Sequence, residues 1–143
     1  MGHSRGTIVQ TNALNILADR GYFNPKLKVE GDGMAVSVPM YVSTAGRVNA
    51  SKDGVPNVRA TYMANDPVSV FAAGNPGNAW AAVMEFYNVV FKNNSAHSCY
   101  GTGATKCVTI ASPLPNGPQP TNQQAGNVIT FRGGQLVQSP GGK

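Results

Sequence analysis

Met-Ala-Val-Ser-Val-Pro-Met-Tyr-Val-Ser-Thr, residues 34–44, is the stretch on which the reading of the fold turns. Met34, Val36, Val38, Met40 and Val42 alternate with Ala35, Ser37, Pro39, Tyr41 and Ser43, a period of two that predicts a strand with one apolar face. Pro39 cannot donate to a ladder, so this strand belongs at an edge or carries a bulge. Gly31-Asp32-Gly33 reads as the turn before it, which makes residues 27–30 the preceding hairpin arm. Residues 47–50 and 58–63 are further strands around the turn Lys52-Asp53-Gly54. The economical expectation is an antiparallel meander over residues 27–64.

Helical spacing flanks this region. In residues 7–20, Val9, Ala13, Ile16 and Leu17 share one face, Thr7 is placed to cap the start, and Gly21 to stop the end. A short helical turn is expected at residues 68–73, between the breakers Asn65-Asp66-Pro67 and Gly74-Asn75-Pro76. Residues 79–92 are the strongest helix. Asn78 caps it, and Trp80, Val83, Met84, Tyr87, Val90 and Phe91 leave only a narrow polar stripe of Glu85, Asn88 and Lys92. Such a helix is expected to be buried at the centre of the molecule. Further on, residues 107–111 read as a strand and 112–127 as a Pro- and Asn-rich loop. A hairpin pairs 128–131 with 135–137 around Arg132-Gly133-Gly134. The expected class is α+β: an N-terminal amphipathic helix and a buried mid-chain helix on an antiparallel sheet, with a small C-terminal disulfide loop. Residues 1–6 read as a leader, 7–138 as one globular domain and 139–143 as a flexible tail.

Composition narrows the function classes. The chain has 143 residues, of which 41% are hydrophobic and 12% charged, so it has the material for a core and is unlike a disordered chain. The net charge of +5 is spread along the sequence rather than clustered, so no nucleic-acid partner is expected. The longest apolar run is interrupted by Glu85 and Asn88, too short to span a bilayer. Cys99 and Cys107 are too far apart for a CxxC motif and have no second pair to complete a zinc site. A local disulfide is the favoured reading, two thiols in a reduced protein the alternative. Closing so short a loop would stabilise the fold by roughly 2–3 kcal/mol. A bridge, together with the Asn-, Ser- and Thr-rich composition, points to an extracytoplasmic location.

Residues able to do chemistry are few. His97 beside Cys99 is the clustered nucleophile–base candidate, and Asp66 and Glu85 are the acids nearest the apolar helix. Asp66 before Pro67 reads most simply as a turn or cap residue, and Glu85 as an ion-paired or pKa-raised acid. Glu30-Gly31-Asp32-Gly33 lacks the further oxygens of a calcium loop, and no phosphate-binding glycine pattern is complete. No metal or cofactor is expected.

A helix over residues 7–20, sheet over 34–63 and the Cys99/Cys107 loop together resemble the soluble part of type IV pilin-like proteins without their hydrophobic N-terminal half-helix. The resemblance implies a non-catalytic, extracytoplasmic structural or adhesive subunit of a pilus-like assembly. It would self-associate or meet other surface subunits, and would touch a membrane only through the missing N-terminal segment. Its candidate interaction surface is His97, Tyr100, Lys106, Asn116, Gln119 and Asn122, offered to neighbours, a receptor or a carbohydrate. The alternatives are a secreted binding module or virion-type shell subunit, and a small secreted hydrolase using His97 with Asp66 or Glu85.

Overall fold

The structure is a computed structural model that describes residues 2–92 and 128–138. In chain order it runs β1 (Gly2–His3), α1 (Arg5–Asp19), β2 (Val29–Asp32), α2 (Val38–Asn49), β3 (Val58–Met63), a π-helical turn (Val68–Ala72), α3 (Ala79–Lys92), β4 (Val128–Arg132) and β5 (Gln135–Gln138). The five strands form one sheet in the order β1-β2-β3-β4-β5. β1, β2 and β3 are parallel, joined through α1 and α2, while β4 and β5 are antiparallel additions on the β3 side. Helices packed on a sheet agree with the expected class at that level. The antiparallel meander does not survive: the sheet is mixed, and its first three strands form two consecutive βαβ units.

The correction originates in residues 34–44. From Val38 the chain is the helix α2, whose buried positions Val38, Tyr41, Ala45 and Val48 recur at helical intervals. Met40 and Ser43 point outward. Val38 fits both the period of two and the helical period, and Ala45 and Val48, which lie beyond residue 44, distinguish them. Pro39 sits in the first turn of α2, where its missing N–H costs nothing. Ser37 makes no side-chain cap. Instead Asn75, far along the chain, accepts the Val38 N–H on Oδ1 (2.7 Å) and donates from Nδ2 to the Val36 carbonyl (3.1 Å). Residues 47–49, expected as a strand, are the last turn of α2.

α1 and α2 lie on the same sheet face, over Val29, Val58, Ala60, Tyr62 and Ile129. The face α1 buries is Thr7, Thr11 and Leu14, not the predicted Val9–Ala13–Ile16 stripe; Val9 is 67% exposed. The two threonines can be buried because each hydroxyl is satisfied within its own turn: Thr7 Oγ1 donates to the Ser4 carbonyl and Thr11 Oγ1 to the Thr7 carbonyl. Gly31 lies directly beneath Tyr41, where a Cβ would come within 3.0 Å of the ring. The Tyr41 hydroxyl donates to Gln10 Oε1, tying α2 to α1 (2.8 Å). Arg47 adds an exposed link, donating to Asp19 and Asn15.

The strand at 58–63, the helical turn near 68–73, the 79–92 helix with its Asn78 cap and the terminal hairpin all match expectation. The expected burial is not seen over the described side chains of α3, residues 79–85. Trp80 is 75% exposed, Val83 and Met84 are exposed, and Ala82 is the side chain that α3 buries between residues 79 and 85. Apolar composition told how much surface needs cover, but not which side the chain covers. Residues 2–6, expected to be a leader, are the edge strand and the first turn of α1. Among the described residues no helix is long and apolar enough to cross a membrane.

Tyr41 and Tyr62 are both fully buried in this core, and burial raises both phenols, that of Tyr62 to about 12. A raised folded-state pKa leaves stability intact below the ordinary value and removes it above. Resistance to urea is therefore expected to hold up to about pH 9.5 and to fall above about pH 10, by roughly 1.4 kcal/mol per pH unit for each tyrosine. Tyr62→Phe should shallow that fall. A urea midpoint unchanged up to pH 11 would contradict this burial.

Candidate functional site

The most unusual backbone in the described chain is at Ser4. It has φ 50° and ψ −119°, and it is the one non-glycine residue with positive φ among the described residues. L side chains rarely adopt this combination, so the neighbours must impose it. β1 ends at His3 and α1 begins at Arg5, so the chain reverses from strand to helix within the single residue Ser4. The Ser4 N–H donates to the carbonyl of Asp32 at the end of β2 (3.1 Å). Its carbonyl accepts from both the N–H and the hydroxyl of Thr7 (2.8 and 2.7 Å). Thr7 Oγ1 in turn accepts the N–H of Ala35 (3.1 Å).

Gly2 explains why the turn can be so tight. A Cβ there would stand 2.9 Å from the Gly6 carbonyl oxygen and 2.6 Å from Gln10 Oε1, so only glycine lets β1 and the first turn of α1 approach this closely. The residues involved spell Gly2-His3-Ser4-Arg5-Gly6, a Gly-x-Ser-x-Gly pentapeptide on a strand–turn–helix. That is the sequence and the context of a nucleophile elbow, in which a strained serine is held up at the carboxyl edge of a parallel sheet. The N–H groups of the first turn of α1, that of Arg5 foremost, emerge beside it at the positive end of the helix.

Two buried acids stand at the same edge. Asp32 ends β2, opposite His3 in the register, and its carboxylate lies on the sheet face away from the helices. There Arg59 Nη2 is 3.4 Å from Asp32 Oδ1, and Arg59 Nε is 3.7 Å from Glu30 Oε1. Burial raises the Asp32 carboxyl above its usual range, and Arg59 acts against that. Asp66 follows β3, two strands from Ser4. It is fully buried, its Oδ1 accepts the N–H groups of Val68 and Ser69 (2.9 and 3.3 Å), and its Oδ2 accepts the Ser69 hydroxyl (3.0 Å). The expectation of a cap residue at Asp66 holds, with the carboxylate pinned in one orientation. Asp66 lies three residues beyond the end of β3, and β3 is separated from β1 by β2 alone.

Glu85 lies in α3, half-buried, in an element separate from the loop that holds Asp66. His97, Tyr100, Lys106, Asn116, Gln119, Asn122 and the Cys99/Cys107 pair all lie outside the described residues. No group of three or more His, Cys, Asp or Glu side chains among the described residues is arranged to hold a metal ion. A cavity of about 370 Å³ opens at the amino ends of β2 and β3, lined by Lys28, Glu30, Arg59 and Arg132 among others, at the opposite end of the strands from the elbow. The residue that sequence reasoning missed is Ser4. Its signal is the pentapeptide itself, which falls within residues 1–6, the stretch that reads as a leader. Comparison of the chain with family models, curated proteins and solved structures finds no match.

Strain at Ser4 is measurable. Ser4→Gly relaxes a positive-φ residue while Ser4→Ala keeps it, so the glycine variant is expected to be more stable than the alanine variant by about 1 kcal/mol or more in urea unfolding. Equal stabilities would show that the elbow carries no strain.

Proposed function

We propose that the chain is a serine hydrolase acting by acyl transfer, with Ser4 as nucleophile, His97 as general base and Asp66 as the acid that orients it. The observation that carries this reading is the strained Ser4 backbone inside Gly2-His3-Ser4-Arg5-Gly6, between a parallel strand and a helix. The order Ser4, Asp66, His97 along the chain is the order in which triad residues follow such an elbow. The chain has two histidines; His3 ends β1 and adjoins Ser4 directly in the chain, where neighbouring side chains rarely meet in catalytic geometry, so the base is assigned to His97. Asp66 is preferred to Asp32 as orienting acid because Asp32 already faces Arg59.

In the reaction, Ser4 Oγ bonds to the carbonyl carbon of an ester while its proton passes to His97. The Arg5 N–H stabilises the oxyanion that forms. Collapse breaks the bond to the leaving alcohol, which takes the proton from His97, and the acyl group remains on Ser4. Water then attacks with His97 again as base, releasing the acid and restoring the serine. This develops the hydrolase alternative met in the sequence, with a serine added to His97 and Asp66.

Hydrolysis of short-chain aryl esters by the full-length protein tests it. Ser4→Ala and His97→Ala are each expected to lower kcat by about 10³-fold or more, and His3→Ala to leave it within about threefold. Full activity in Ser4→Ala, or none in the wild type, would overturn the assignment.

A second reading, the extracytoplasmic pilus-like subunit, draws support from the exposed apolar side chains Val9 and Ile16 on α1. Residues 38–49, part of the sheet on which that resemblance rested, are helical. On this reading the chain self-associates, and Val9→Asp with Ile16→Asp is expected to return it to monomer in sedimentation velocity. A wild type that sediments as a monomer at all concentrations would dismiss it.

A further inference from the structure

Ser4 and Arg5 share a peptide plane, and the structure holds that plane from the Ser4 side. The Ser4 carbonyl accepts twice from Thr7, from its N–H and from its hydroxyl. A peptide unit is rigid, with its C=O and N–H pointing in opposite directions, so fixing the Ser4 carbonyl fixes the direction of the Arg5 N–H. We propose that Thr7 is a positioning residue that aims the Arg5 N–H at the oxyanion; this rests on the reading of Ser4 as nucleophile.

Three observations assign the task to the Thr7 hydroxyl rather than to its bulk. Its single proton is committed to the Ser4 carbonyl at 2.7 Å, because the oxygen also accepts the Ala35 N–H at 3.1 Å. The Thr7 side chain is fully buried, so its hydroxyl is held against the Ser4 carbonyl and is not free to turn to solvent. The next turn repeats the pattern, with Thr11 Oγ1 donating to the Thr7 carbonyl at 2.7 Å and holding Thr7 in place. The hydroxyl thus links the elbow to α1 and to the segment after β2, the three parts that must keep their relative places while charge develops on substrate. Aim matters here because a donor preorganised toward the oxyanion acts on the transition state and little on the bound ester.

The test compares Thr7→Val, which keeps shape and loses the hydroxyl, with Thr7→Ser, which keeps the hydroxyl and loses a methyl. Aryl-ester kinetics, the rate of covalent labelling by a fluorophosphonate and thermal unfolding are followed in each. Thr7→Val is expected to lower kcat and the labelling rate by about 10- to 100-fold with KM within about twofold. Thr7→Ser should recover both rates to within about threefold. Should Thr7→Val not fold, Thr7→Ala takes its place in the same comparison. Wild-type rates in the folded valine or alanine variant, or an equal loss in Thr7→Ser, would overturn the proposal. The two levels separate cleanly: a wild type whose label does not depend on Ser4 removes the nucleophile assignment, whereas Ser4-dependent labelling that ignores Thr7 removes the Thr7 role alone.

Discussion

The hydrogen bond from the Ser4 N–H to the Asp32 carbonyl, 3.1 Å long, joins the end of the edge strand to the end of its neighbour. Around it the chain makes its sharpest reversal, at a serine in a backbone conformation that a side-chain-bearing residue avoids. Everything nearby is arranged to hold that state. Gly2 permits the close approach of strand and helix, Thr7 takes the carbonyl, and the parallel pairing of β1 with β2 supplies the acceptor for the N–H. Strain of this kind persists only where the surroundings over-determine it.

The second constraint is on the other face of the sheet. Arg59 is buried between Glu30 and Asp32 and donates to Thr61 Oγ1 at 3.2 Å, so β2 and β3 are tied by charge as well as by their ladder. A buried ion cluster of this sort is costly to break on one side, because the partner left behind keeps its desolvation penalty. It also occupies the Asp32 carboxylate while the Asp32 carbonyl receives the elbow. One residue therefore serves the charge cluster with its side chain and the Ser4 turn with its backbone.

How much of this was legible in the sequence follows from which signals are local. β3, α3 with its Asn78 cap and the terminal hairpin were readable because their periodicity or turn glycines lie within the element itself; Gly133 and Gly134 both have positive φ, as a two-residue hairpin turn requires. Residues 34–44 were ambiguous because Val38 fits both periods, and the decision came from Ala45 and Val48 beyond the window and from a cap lent by Asn75. Asn49, read as part of a strand, is a buried clamp that donates to the carbonyls of Leu27 and Asn57. Long-range polar pins of this kind have no sequence signature. The buried face of α1 was misassigned for a related reason: hydroxyls satisfied by the preceding turn bury as readily as methyls, so Thr7 and Thr11 outrank Val9 and Ile16. The candidate site was half visible. Of the three residues proposed to act together, Asp66 and His97 are candidates on sequence alone, while Ser4 lies within residues 1–6, which read as a leader.

Peptide mapping of the native protein after reaction with a fluorophosphonate tests the account most directly. The adduct is predicted on the Ser4 hydroxyl, formed when the folded chain is labelled and not formed when the protein is denatured in urea before the reagent is added. A modified residue elsewhere, or a Ser4 as inert when folded as when unfolded, would contradict it.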